Sequence, residues 1–222
     1  MPYKFEPHAH TAESSGCANF PAKKLVEAYH AAGFDGIAIT DHMYGYLLQR
    51  FKNNWNQCVD FFLKGYKNAK KRGNELGLGV ILGMELSFAG APGMDYLVYG
   101  IDENFLRKNS DLPNLHLKEF FRRYSDELLI IQAHPFRYGN EIVYHQYLHG
   151  VEIHNGNPRH INDNKKSRAL CKSRPKLCPI SASDTHEAGD VGRGWIELKH
   201  PVKDSKQLRN IILNREYELG KV

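Results

Sequence analysis

Residues 36–42 read Gly36-Ile37-Ala38-Ile39-Thr40-Asp41-His42. Five residues of short, apolar, β-branched character end abruptly in an acid and an imidazole. The run is too short for a helix and too apolar for a half-exposed strand, so it reads as a strand buried on both faces. The same grammar recurs along the chain. Residues 3–8 form a first strand that runs into His8-Ala9-His10, Gly79–Met84 runs into Glu85, and Leu128–Ala133 runs into His134-Pro135. Cys178–Ala182 leads to Asp184-Thr185-His186. Two further strands, Asp95–Tyr99 and Gly150–Ile153, complete a set of about seven.

Helical spacing separates these strands. Pro21 stands at the opening of one helix and Gly33 just past its end, with Ala22, Leu25, Val26 and Tyr29 on its apolar face. Val59, Phe62, Leu63, Tyr66 and Ala69 mark a second helix over roughly 57–76. Others are expected near 115–125, across the basic stretch 159–176, and at 204–213. Alternating strands and helices without a Gly-rich dinucleotide fingerprint predict an α/β fold, a closed barrel of parallel strands in preference to a doubly wound sheet. One domain over 1–222 is expected, since 222 residues suffice for a substantial core.

Composition narrows the function classes. No apolar run approaches a membrane span, and the start lacks a signal peptide's basic and apolar regions. Cys17, Cys58, Cys171 and Cys178 form no CxxC pair and read as free thiols of a cytoplasmic protein. The net charge of +5 is uneven. Residues 159–176 carry seven basic side chains against Asp163 alone. The stretch lacks the interleaved aromatics of a nucleic-acid groove, so a solvated helix face is preferred over an anionic partner.

Twelve histidines are the larger surplus. In a parallel barrel the ends of the strands meet on one face, the place of active sites. His8, His10, His42, His134 and His186 would gather there with Glu85 and Asp184. Residues two apart on a strand point to the same side, so His8 can join His10, and Asp184 can join His186. Each pair alone has a plain alternative: an exposed strand end for HxH, an Asx turn for Thr-Asp-His, a buried ion pair for Glu85. Their recurrence at successive strand ends points to imidazole and carboxylate ligands for Zn²⁺, Mn²⁺ or Fe²⁺. So many ligands require two or three ions. His30, His116, His145, His149, His160 and His200 read as surface residues, and His154 stays unassigned.

The motifs His8-Ala9-His10-Thr11, Ile39-Thr40-Asp41-His42, Gly83-Met84-Glu85, Ala133-His134-Pro135 and Ser183-Asp184-Thr185-His186 resemble, in order, those of the PHP (polymerase and histidinol phosphatase) family. The resemblance spans nearly the whole chain. It implies a distorted (β/α)7 TIM-like barrel with a di- or trinuclear metal centre and phosphoesterase activity. By the same resemblance His8, His10, Glu85 and Asp184 hold one metal, Glu85 bridges to a second with His134, and His42 and His186 serve a third. Asp41 would orient a ligand histidine. Where some members have a further histidine after the HxH, this chain offers Glu13, with Cys17 also close. Where many have one after the fourth strand, it offers Asp102.

The expected chemistry is hydrolysis of a small phosphomonoester, such as histidinol phosphate or a nucleotide, by metal-activated hydroxide. Arg137 and Arg193 are candidate phosphate clamps, or ordinary surface arginines. His42 or His186 would protonate the leaving group if free of metal. A nuclease acting on nucleic acid ends, a C–N bond hydrolase of amidohydrolase type, and an inactive regulatory protein are the competing readings. The second would place a bridging lysine mid-barrel, which is missing here. No membrane contact is expected, and oligomeric state is not readable.

Overall fold

A computed structural model describes residues 2–88, 91, 93–140 and 144–220. Ala89, Gly90, Pro92 and residues 141–143 lie outside the described residues; they belong to 86–94 and 136–149, two of the three loops, with 43–57, whose sequence is expected to hold substrate choice. The elements follow the order β1 (Tyr3–Ala9), α1 (Ala22–Ala31), β2 (Gly36–Ile39), β3 (His42–Tyr44), α2 (Gly45–Arg50) and α3 (Trp55–Leu76). Next come β4 (Gly79–Leu82), β5 (Met84–Ser87), β6 (Asp95–Tyr99), α4 (Glu103–Lys108), α5 (Leu117–Tyr124) and β7 (Leu129–Gln132). The chain ends with β8 (Gly150–Asn155), α6 (Asn164–Ser173), β9 (Cys178–Ala182), β10 (Ile196–Leu198), α7 (Ser205–Leu213) and β11 (Tyr217–Leu219).

The expected strands and main helices all form, and the fold is mixed α/β. Their closure differs from the expectation. Among the described residues the ladders make two sheets, β11-β10-β1-β2-β4 and β3-β5-β6-β7-β8-β9, and no closed barrel. Two adjacent strands pass from one sheet to the other. β2 continues as β3, and β4 continues as β5 through Gly83. Hydrogen bonds carry across the break, from Gly83 N to Ile39 O (2.9 Å) and from Glu85 N to Asp41 O (3.1 Å). Gly83 suits the crossing because a Cβ there would lie 2.8 Å from Thr40 Cγ2. On the other side, an isolated parallel bridge between Ala9 and Thr185 ties the end of β1 to the segment after β9.

The strands are also not all parallel. β6 runs antiparallel to both β5 and β7, and β10 antiparallel to β1. The connection 88–94 between β5 and β6 is too short for a crossover helix, so the chain must turn back. This reversal exchanges the ends of β6. Asp95 comes to the face where the other strands finish, and Asp102 goes to the opposite face.

Helices cover the sheets with the faces their spacing predicted. Ala22, Leu25, Val26 and Tyr29 of α1 are buried. The 22-residue α3 buries Cys58, Val59, Phe62, Leu63 and Ala69, and ends at Gly77 in the left-handed conformation (φ 77°) that favours glycine. Gly65 sits mid-helix, where a Cβ would come within 1.9 Å of Thr11 Oγ1 and 2.6 Å of Asp41 Oδ2. α3 is thereby pressed against the loop that leaves β1. The basic stretch forms α6, with Lys165, Lys166 and Lys172 exposed, as expected for a solvated face.

Candidate metal centre

β1 brings His8 and His10 to one point, as the two-residue strand period requires. Both are fully buried, with their Nε2 atoms 3.0 Å apart. Glu85 at the start of β5 reaches them from the neighbouring sheet. Its Oε2 lies 3.1 Å from His10 Nε2 and 3.1 Å from His42 Nδ1. Its Oε1 lies 3.0 Å from His134 Nε2 and 3.5 Å from His8 Nε2. Asp184 Oδ1 closes the group at 3.3 Å from His8 Nε2 and 3.4 Å from His10 Nε2. His186 packs against His10, with the rings tilted and their centroids 4.3 Å apart. The structure therefore brings together all seven principal candidates: His8, His10, His42, Glu85, His134, Asp184 and His186.

Among the described residues, three groups each gather their donor atoms within 4.8 Å: His8, His10 and Glu85; Glu85, Asp95 and His134; and His10, His42 and His186. They share members, as neighbouring ions in one cluster would require. Buried polar atoms normally have partners. Here His42 Nδ1, His134 Nδ1 and Asp184 Oδ1 are buried without an aligned hydrogen bond, although His42 Nδ1 and Asp184 Oδ1 face charged neighbours. Nitrogen and oxygen donors, overlapping groups and orphaned lone pairs fit divalent cations of the Zn²⁺, Mn²⁺ or Fe²⁺ kind.

The electrostatics agree. Burial alone lowers the His8 pKa, but Asp184, Glu85 and Glu152 outweigh it and hold it well above the usual imidazole value. For His10, burial is likewise overcome by the adjacent Asp184 and Glu85 carboxylates, and its pKa rises to about 9. Burial raises the carboxyl pKa values of Glu85 and Asp184, yet the surrounding histidines pull both well below the ordinary range. Without metal, imidazolium protons supply the positive charge that the buried carboxylates need. His42 and His186 behave oppositely. Burial pushes them down to about 3 and about 4, leaving neutral imidazoles.

Two ligand candidates sit in strained backbone. His134 has φ 28° and Asp184 φ 54°. The first precedes Pro135, where an extended conformation is the norm. Such strain persists only where neighbours hold it. Glu152 Oε2 accepts from His134 N at 2.7 Å, and Asn157 Nδ2 donates to Asp184 O at 3.1 Å.

Other expectations need correction. Glu13 does not join the cluster: its Oε2 accepts from Ala22 N (2.9 Å) at the start of α1, which has no other side-chain cap. Asp102 lies at the far end of β6, where it caps α4 by accepting from Phe105 N (2.7 Å). Arg193 is exposed, and its Nε donates to Gly189 O, away from the cluster. Arg137 does reach the site, but its NH2 is paired with Asp184 Oδ2 (2.5 Å) and its Nε with Asn162 Oδ1 (2.9 Å). Asp41 touches no ligand imidazole directly. It accepts from Ser15 Oγ (2.6 Å), and Ser15 Oγ stands 3.3 Å from His10 Nδ1, so any hold on His10 passes through Ser15. His154 Nε2 meets Arg193 O outside the cluster.

Sequence reasoning passed over Asp95, Glu152 and Asn155. Asp95 Oδ2 lies 3.9 Å from His134 Nε2. The glycine- and proline-rich sequence at 89–93 was the available clue that β6 reverses. Glu152 and Asn155 belong to a buried strand and carry no motif.

The PHP domain model matches residues 6–206 of the chain. No curated protein matches it in sequence at a significant level. Among solved structures, the chain is similar to a two-domain protein from Bacteroides vulgatus described as containing a predicted PHP-like metal-dependent phosphoesterase. The two are 19% identical with a TM-score of 0.67, over 100% of this chain and 65% of that one. PsfC from Pseudomonas syringae is 16% identical with a TM-score of 0.67, over 99% and 91% of the two chains. An amidohydrolase from Chromobacterium violaceum, solved with sulfate and no metal, is 15% identical with a TM-score of 0.58, over 97% of each chain. The chain spans about two thirds of the length of the Bacteroides protein, and likenesses this distant establish the fold alone. The domain match, whose span includes the strand-end residues that gather here, places this chain in the PHP domain family.

Proposed function

We propose that the protein is a metal-dependent phosphoesterase that hydrolyses a small phosphomonoester in the cytoplasm. One observation carries the reading: seven histidine and carboxylate side chains from five strand ends converge, six of them in overlapping groups spaced as metal ligands and Asp184 beside His8 and His10. His8, His10, Glu85 and Asp184 would hold one ion. Glu85 would extend to a second with His134 and Asp95, and His42 and His186 would serve a third. When bound, such cations supply an acidified water and positive charge for the phosphoryl oxygens.

The chain's own residues do the rest. Glu85 presents its two oxygens to different histidines, which fixes the spacing of the groups. Burial disfavours the imidazolium form of His42 and His186, which suits ligation and leaves no acidic proton for a leaving group at neutral pH. His8, His10 and His134 are closed off from water, whereas the His42 side chain keeps 18% of its surface exposed. Substrate would enter on that side, beside Tyr44, whose ring centroid is 5.8 Å from that of His42.

A small ester suits the site better than nucleic acid. The exposed lysines of α6 stand on a helix face, and Arg159 is occupied by Glu187 and Asp190. Four free cysteines fit a reducing compartment. No described helix is long and apolar enough to cross a membrane. The test is a screen of Mn²⁺- and Zn²⁺-loaded protein over phosphomonoesters and dinucleotides, beside His10→Ala. Turnover that the variant loses supports the reading, and no turnover on any ester overturns it. Steeply salt-dependent binding of single-stranded DNA would transfer it to a nuclease.

A further inference from the structure

β8 supplies none of the expected ligands, yet it touches three of them. Glu152 is fully buried on that strand. Its Oε1 lies 3.0 Å from His8 Nδ1, and its Oε2 accepts from the backbone N of His134 at 2.7 Å. Asn155 follows three residues later, also buried. Its Nδ2 donates to Glu152 Oε2 (2.8 Å) and to Asp184 Oδ2 (3.1 Å). Its Oδ1 accepts from Asn162 Nδ2 (2.9 Å), from Asn157 N (3.1 Å) and from Arg137 NH2 (3.3 Å). The amide is thereby fixed in orientation from both ends.

This arrangement divides the work of each ligand between two atoms. His8 gives Nδ1 to Glu152 and turns Nε2 toward His10, Glu85 and Asp184. Asp184 gives Oδ2 to Asn155 and Arg137, and leaves Oδ1, which has no hydrogen-bond partner, toward His8 and His10. β8 lies between β7 and β9 in the sheet, so one strand reaches the residues that follow both neighbours.

We infer that Glu152 and Asn155 form a positioning frame that aims His8, His134 and Asp184 at a common cation, with Asn155 as the joint between the two carboxylates. The inference rests on the metal-dependent reading above. It also gives Arg137 a role other than phosphate clamp, as the second donor that restricts Asp184 to one oxygen.

The test is Mn²⁺ titration of the metal-stripped protein by calorimetry. Outer partners of metal ligands are typically worth about 10–100-fold in affinity. Asn155→Ala is expected to weaken Mn²⁺ binding by that factor. In Zn²⁺-loaded protein it should also remove the exchange-protected Nδ1–H resonance of His8, which Glu152 would otherwise hold. A merely structural asparagine would lower the thermal midpoint of the metal-free protein and move neither readout. Should Asn155→Ala fail to fold, Glu152→Gln keeps the shape and carries the same two expectations. Unchanged Mn²⁺ affinity with the resonance retained, in a folded variant, overturns the inference. No phosphate ester enters these measurements. Failure of the phosphoesterase reading would appear separately, as a wild-type protein that binds Mn²⁺ tightly and turns over no ester.

Discussion

The strand β6 is flanked by two aspartates that have opposite surroundings. Asp95 begins it beside Glu85 and His134, and burial first, then the Glu85 charge, raises its carboxyl pKa. Asp102 follows its other end, largely exposed, with one oxygen on Phe105 N and the other 3.6 Å from Lys206 Nζ. The residues are alike and the strand is shared. What separates them is the direction of the chain, which a single short turn between β5 and β6 reverses. One end of the sheet concentrates charge that only cations can balance, and the other spends its charge on capping a helix.

The sharpest way to break this contrast is to strike the centre of the charged end. Glu85→Gln leaves the shape but removes the negative charge shared by His8, His10, His42 and His134. Activity on whichever ester the screen identifies is expected to fall by about three orders of magnitude, equivalent to several kcal/mol of electrostatic stabilisation. Metal content by mass spectrometry should fall with it; a fully loaded, fully active variant would refute the central role of Glu85. Next in size is Asp95→Asn, with a loss of about 10–100-fold in metal affinity or activity. If Asp95→Asn behaves as wild type in both respects, the two ends of β6 are not distinguished by function.

A third measurement varies pH instead of sequence. The folded His10 has a pKa near 9, above the 6.5 of an ordinary imidazole. Its ionisation favours the folded state fully below about pH 6.5, and that contribution disappears as pH rises through about 9. The thermal midpoint of metal-stripped protein should therefore decline between pH 7 and 9.5. Metal replaces the proton, so loaded protein should decline less. Equal declines would show that proton and metal do not compete there. The smallest effect belongs to the other end. Asp102→Ala should cost about 1 kcal/mol of stability, the usual worth of a helix cap, and leave kcat/KM within a factor of about two. A large loss of activity would return Asp102 to the site.

The contrast also marks how far sequence reading reached. His8, His10, Glu85, His134, Asp184 and His186 were legible because each follows a short apolar strand at once, and the strand period aims paired residues together. Helices α1 and α3 were legible from their apolar spacing. Asp95 was not, because its place depends on the sense of β6, and sense is decided by the turn at 88–94 and not by the strand. Asp102 was misplaced because a carboxylate just before a helix serves its free N–H groups as readily as a metal, and Glu13 because the fold brings it from nine residues away to the free N–H of Ala22. Glu152 and Asn155 were missed because a buried strand residue has no local pattern that separates hydrogen bonding from packing. The two-sheet arrangement was hidden in Gly83, where one glycine lets a strand change sheets.

Gly65, midway along α3, constrains anyone who would engineer this protein. Replacing a helix-interior glycine by alanine is a routine stabilising exchange, worth about 0.5–1 kcal/mol where space permits. At this position the added methyl would meet Thr11 Oγ1 and Asp41 Oδ2 at distances no real contact tolerates. Asp41 in turn holds Thr11 N (2.7 Å) and Ser15 Oγ (2.6 Å), the loop that backs His10. Helix strength and ligand placement compete for the same few cubic ångströms, so a thermostabilised version of this chain must find its gains elsewhere.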